Sequence, residues 1–159
     1  MTLGFRRELR SAFDEWCYGL DFDWALGLTF NCACTFEKAR KALKSFASMV
    51  DRILLGPKYL SKCSERIFFV AVPEHPDSNF HYHALVKIQT RRHRSWLELI
   101  SAMTRAWTKV APGGAVHLQE VQDRGAIRYA AKDLVKRGHF NEFIISTEFH
   151  PRRDKRPSA

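Results

Sequence analysis

Arg66-Ile-Phe-Phe-Val-Ala-Val-Pro-Glu-His-Pro-Asp-Ser-Asn-Phe-His-Tyr-His-Ala-Leu-Val-Lys-Ile88 is the stretch on which the fold turns. Arg66 to Val72 is a β-branched and aromatic run of strand length, and Phe80 to Ile88 is a second. Pro73 to Asn79 between them carries turn residues, so the two runs predict a β-hairpin. Alternate side chains of a strand share a face, which points His81 and His83 one way and Tyr82 the other. A tight hairpin also brings Glu74, at the end of the outgoing strand, beside the two imidazoles. Two histidines and one carboxylate can hold a metal ion and still leave positions open for water or a substrate oxygen. Mixed nitrogen and oxygen ligation suits Mn²⁺ or Mg²⁺, and zinc is compatible. His75 competes for the place of third ligand, and spacing alone leaves both choices open. His-x-His by itself is common on half-exposed strands; Glu74 and a helix further along give it weight.

Working outward, Phe5 to Leu20 places Phe5, Leu9, Ala12, Phe13 and Trp16 at helical spacing. Trp24 to Phe30 reads as a buried strand. Phe36 to Leu55 reads as a long amphipathic helix closed by Gly56-Pro57. After the hairpin, Ser95 to Val110 is a second amphipathic helix with Ser95 as its cap. Pro112 to Gly114 is a turn, and Ala115 to Val121 a fourth strand. Asp123 can cap a helix from Gly125 to Arg137 that Gly138 ends. Phe140 to Ser146 is a short fifth strand. The order α-β-α-β-β-α-β-α-β predicts an α+β fold: a central antiparallel sheet of about five strands with helices packed mainly on one face, RRM-like. We expect one domain over residues 1–150 and a basic, disordered tail over 151–159.

The chain has 159 residues, 45% hydrophobic and 13% aromatic, enough for one packed core and unlike a disordered chain. Its formal charge of +9 points to a polyanionic partner, with nucleic acid ahead of a membrane surface. No apolar run approaches the roughly 20 residues needed to span a bilayer. The first residues carry charges without the apolar stretch of a secretory signal. The expected compartment is therefore the cytoplasm, with reduced thiols. Cys32-Ala-Cys34 lacks the spacing of common zinc sites, and no second pair follows it.

The last helix carries the other informative pattern. Ile127, Ala130, Ala131 and Leu134 form an apolar stripe. Tyr129 and Lys132 lie off that stripe, three residues apart and so adjacent on the helix surface. Lys136 extends the same face. A tyrosine meant for packing belongs on the stripe, and this one is not there. A phenol titrates near pH 10 and is a poor nucleophile at neutrality, a deficit that a metal and a nearby lysine can offset.

Together these motifs resemble the HUH endonuclease superfamily, and within it the rolling-circle replication initiators. In that family one strand carries His-hydrophobic-His, here His81-Tyr82-His83. A helix carries Y-x-x-K, here Tyr129-Ala-Ala-Lys132, and an upstream strand carries an L-T-F-like motif, here Leu28-Thr29-Phe30-Asn31. The order agrees, and the resemblance covers roughly Trp24 to Phe143. Tyr82 is bulky for the central position. No second tyrosine stands near Tyr129, which indicates the single-tyrosine type. The resemblance implies a site-specific nickase and joining enzyme for single-stranded or origin-hairpin DNA. His81, His83 and Glu74 would hold Mn²⁺ or Mg²⁺, Tyr129 would attack the scissile phosphate to give a 5′-phosphotyrosine, and Lys132 would position it. No small-molecule cofactor and no membrane are implied; a nuclear location is implied if the replicon is that of a eukaryotic virus. The chain lacks G-x-x-x-x-G-K-[ST], which leaves a separate helicase as the further candidate partner. Arg91, Arg92, Arg94, Arg124, Arg128 and Lys136 are the candidate contacts to the DNA backbone. Transposases and relaxases share the site, although a relaxase usually places its tyrosine ahead of the histidines. A DNA-binding module without chemistry is the reading from another class.

Overall fold

The hairpin forms as β2 (Phe68–Glu74) and β3 (His81–Lys87), and it is the middle of a five-stranded sheet. β1 (Trp24–Thr29), β4 (Val116–Glu120) and the two-residue β5 (Ile144–Ile145) complete the order β4-β1-β3-β2-β5, with every pairing antiparallel. Four α-helices are described: α1 (Leu3–Gly19), α2 (Phe36–Leu55), α3 (Trp96–Val110) and α4 (Arg124–Lys136). This computed structural model describes residues 3–75, 77–90, 94–136 and 142–150. The run β1-α2-β2-β3-α3-β4 is a split β-α-β arrangement. The α+β class and the five-stranded antiparallel sheet are as the sequence predicts.

Local chemistry sets the helix boundaries. Thr35 caps α2 by accepting from the Lys38 amide at 3.3 Å, and Gly56 ends it with a left-handed φ of 84°. Ser95 and Glu98 cap α3 reciprocally, the Ser95 hydroxyl accepting from the Glu98 amide and the Glu98 carboxylate from the Ser95 amide. Asp123 accepts from the Gly125 amide at 2.6 Å and starts α4.

The larger core lies on one face of the sheet, where α2 and α3 cover Leu26, Leu28, Phe69, Ala71, Tyr82, Ala84, Val86 and Leu118. A smaller cluster lies on the other face, where Phe13 and Cys17 of α1 and Ile127 and Ala130 of α4 pack on Val70, Val72 and Leu85. The preference for one face therefore describes α2 and α3; α1 and α4 cover one corner of the second face. α1 buries Phe13 and Cys17, one turn apart, while Phe5 and Trp16 of the expected stripe stay largely exposed. No helix among the described residues is long and apolar enough to cross a membrane.

Two boundaries differ from expectation. β2 continues through Pro73 to Glu74, pairing Pro73 with Tyr82. Proline fits there because β5 pairs only with Val70 and Ala71, so beyond them β2 is an edge among the described residues, with no ladder bond to lose on that side. The last strand is only Ile144–Ile145, and Phe140 and Asn141 lie outside the described residues. Ser146 replaces the next rung by accepting from the Phe69 amide through its hydroxyl, and a short 3-10 helix, Ser146–Phe149, follows.

Below the larger core, Asp51 and Arg66 form a buried ion pair. Arg66 donates from Nε to Asp51 at 2.6 Å, and the Ile67 amide donates to the other carboxylate oxygen at 2.8 Å. Burial raises the Asp51 carboxyl above its usual range, against the pull of the Arg66 hydrogen bond. Asp51→Ala would leave a buried guanidinium without its counter-charge. We expect it to cost about 3–5 kcal/mol in urea denaturation.

Candidate metal and nucleophile site

The hairpin register builds the centre. Glu74 pairs with His81 and Val72 with His83, and paired residues share a face, so the carboxylate and both imidazoles stand together. That face is the one carrying α1 and α4. A single oxygen of Glu74, Oε2, lies 2.7 Å from Nε2 of His81 and 2.9 Å from Nε2 of His83. The carboxylate is buried at 1% side-chain exposure and the imidazoles are each at 18%, so the histidines are the members of the centre that solvent reaches. Tyr82, between the two histidines, lies in the opposite core, where burial holds its phenol far above the usual range. That side chain is excluded from the centre.

His75 follows at the end of β2, where a left-handed φ of 49° turns the chain back. Its ring lies 5.4 Å from that of His81. The ligand atoms of Glu74, His75 and His81 all fall within 4.8 Å of one another. His75 and His83 thus both border the Glu74–His81 pair: proximity of ligand atoms selects His75, and hydrogen bonding to the shared oxygen selects His83. We favour His83, because its nitrogen already points at the oxygen that His81 shares.

The donor set fits a cation. Nδ1 of His81 lies 2.9 Å from the Asn79 carbonyl, which can only accept, so that nitrogen carries the ring proton. A neutral imidazole then turns a lone pair from Nε2 toward the Glu74 oxygen. Two acceptors 2.7 Å apart share a proton between them, and a cation would take that proton's place once the pair parts to metal–ligand distances. The backbone carbonyl fixes the ring orientation that metal-binding histidines need.

α4 brings the tyrosine to this centre. Ile127 and Ala130 bury against the sheet, which leaves Tyr129 55% exposed on another side of the helix. Its ring meets that of His83 edge to face, 4.9 Å between centroids at 80°. The helix also carries Lys132 and Lys136, whose side chains lie outside the described residues, as do Arg91 and Arg92.

The remaining basic candidates divide. Arg94 donates to the Leu54 carbonyl at 2.6 Å and sits 3.7 Å from Glu98, tying the end of α2 to the start of α3 in the opposite layer. Arg124 stacks on the Tyr18 ring at 3.7 Å and reaches Glu15 at 3.5 Å, fastening α4 to α1. Both therefore have intramolecular work that the sequence did not show. Arg128 is exposed and lies near Asp14, whose carboxyl is raised by burial against the pull of Arg10 and Arg128.

Sequence reasoning left the face of His117 open. The register settles it: His117 pairs with Gly27, and Gly27 pairs with His83, so both histidines look out over the same face. No family model, no curated protein and no solved structure matches this chain.

Proposed function

We propose that this chain is a metal-dependent DNA-nicking and joining enzyme of the HUH type, initiating rolling-circle replication through a covalent 5′-phosphotyrosine. The observation that carries the reading is one cluster: Tyr129 edge to face with His83, and His83 and His81 sharing one oxygen of buried Glu74. A structural metal site would have no use for a half-exposed phenol at its open side. His81, His83 and Glu74 would hold the ion, which when bound supplies charge stabilisation at the scissile phosphate.

The chain's own residues do the rest. The edge-to-face contact with His83 holds the Tyr129 ring at the mouth of the centre. Its Oη attacks phosphorus, the bond from phosphorus to O3′ breaks, and the phenolic proton ends on the released 3′-hydroxyl. The phosphotyrosine conserves the bond energy, so a returning 3′-hydroxyl can reverse the step and rejoin strands. Lys132, three residues on, would steady the phosphate. Transposases and relaxases of the same superfamily would use the same chemistry on a different DNA.

Single-stranded DNA incubated with the protein and Mn²⁺ should give a cleaved strand and a protein–DNA adduct on a denaturing gel, and chelator should prevent both. Binding without cleavage under these conditions would reduce the protein to a binding module. Affinity should also fall linearly in log–log form with salt, because the +9 chain releases counterions from the phosphates it neutralises. Affinity unchanged between low and physiological salt, measured by fluorescence anisotropy, would remove the phosphate-tracking role.

A further inference from the structure

Gly27 stands in the interior of β1, where a glycine weakens a strand and asks for a reason. The usual reasons fail. The register of β1 is unbroken from Trp24 to Thr29 against β3 and from Trp24 to Leu28 against β4, so no bulge is present. Gly56 is the only described glycine with a left-handed φ. No other backbone crowds the position closely: a Cβ built there would meet the Cβ of His117 at 3.6 Å and its Cδ2 at 4.0 Å, ordinary contact. The fold itself would accept a Cβ at this place. What remains among the reasons for a strand glycine is the close approach of a ligand.

The surroundings say which ligand. α1 and α4 cover the apolar corner of this face, Val70, Val72 and Leu85. The corner beyond carries His83 on one side of Gly27 and His117 on the other, with Thr29 further along β1. Two strand spacings, about 10 Å, separate the histidine strands, and the His117 ring borders the Gly27 position directly, its Cδ2 4.0 Å from where a Cβ would stand, so the space without a side chain lies between Gly27 and His83. Tyr129 stands at its His83 side. Imidazole edges and a peptide floor suit a flat, polar ring, and histidine is among the side chains on which unstacked bases rest.

We infer that Gly27 and His117 form a slot for one nucleobase next to the reacting phosphate, a determinant of which strand is taken. The inference rests on the DNA-nicking reading above, since the slot's occupant is the strand that Tyr129 attacks. Gly27→Val fills the slot with a residue that strands favour. His117→Ala removes its outer wall at an exposed position, and so cannot disturb the core.

The test uses the full chain and two fluorescent probes: dT12, and a 12-residue abasic deoxyribose-phosphate strand of the same charge. The wild type should bind dT12 more tightly than the abasic strand. Gly27→Val and His117→Ala should each shrink that preference by about tenfold, the worth of one stacked base, while affinity for the abasic strand stays unchanged. A preference equal to wild type in His117→Ala would overturn the slot, even if Gly27→Val proved unstable. Equal loss on both probes would overturn it too, by showing a backbone or folding effect. If the wild type binds dT12 with a base preference but forms no covalent adduct, the nicking reading fails and the slot is still scored by these ratios.

Discussion

Tyr129→Phe should form no covalent adduct with DNA while folding, binding metal and binding DNA as the wild type does. The substitution keeps the ring, and with it the edge-to-face contact to His83 at 4.9 Å. It keeps the helix, whose hold on the sheet comes from Ile127 and Ala130. It deletes the attacking oxygen alone. At a 55% exposed position the change in stability should stay within about 0.5 kcal/mol. The rate of strand cleavage should fall to background, because no other tyrosine is placed to substitute: Tyr82 is buried on the far side of the sheet, Tyr18 lies under Arg124, and Tyr59 lies under Arg66 in the short 3-10 helix after α2. Residual adduct in Tyr129→Phe, read on a denaturing gel, would mean a different nucleophile. Lys132→Ala should be milder, slowing cleavage without ending it, since a positioning charge supplies only part of the transition-state stabilisation.

His81→Ala should weaken Mn²⁺ binding by about a hundredfold or more in calorimetry, and abolish cleavage with it. His81 belongs to both possible ligand sets, one with His83 and one with His75, so its loss cannot be made good within the cluster. Glu74→Ala should do the same, since its Oε2 is the oxygen on which both strand histidines converge. His83→Ala and His75→Ala separate the two sets. We expect the first to lose the metal and the second to keep it; the opposite pattern would move the third ligand to His75. Wild-type metal affinity in His81→Ala would remove the centre altogether.

The hairpin was legible because its two runs are β-branched and aromatic, of strand length, and its turn carries Pro, Asp, Ser and Asn. The period of two in a strand sufficed to put His81 and His83 on one face, and the hairpin to bring Glu74 beside them. Pro73 misled at the edge: proline reads as a turn, and only the shortness of β5 makes it tolerable in a strand. The two-sided layering was harder to read, since periodicity tells which stripe of α1 or α4 is apolar but not which face of the sheet receives it. The meeting of Tyr129 with His83 depends on how α4 crosses the sheet, and no local pattern encodes that. The work of Arg94 and Arg124 within the fold was not legible because a basic residue carries no mark of a distant partner; Leu54 is 40 residues from Arg94, and Glu15 is 109 from Arg124. His117 and Gly27 gain meaning only from the register that sets both in line with His83.

The most direct measurement is to trap and map the adduct. Wild-type protein is incubated with a randomised pool of single-stranded DNA and Mn²⁺, denatured, and the protein-linked strands are sequenced while the linked peptide is identified by mass spectrometry. The account predicts a chelator-sensitive adduct on Tyr129, joined to the 5′ end of a small set of related sequences. An adduct on Tyr18, Tyr59, Tyr82 or a serine, or no adduct at any DNA sequence, would contradict it.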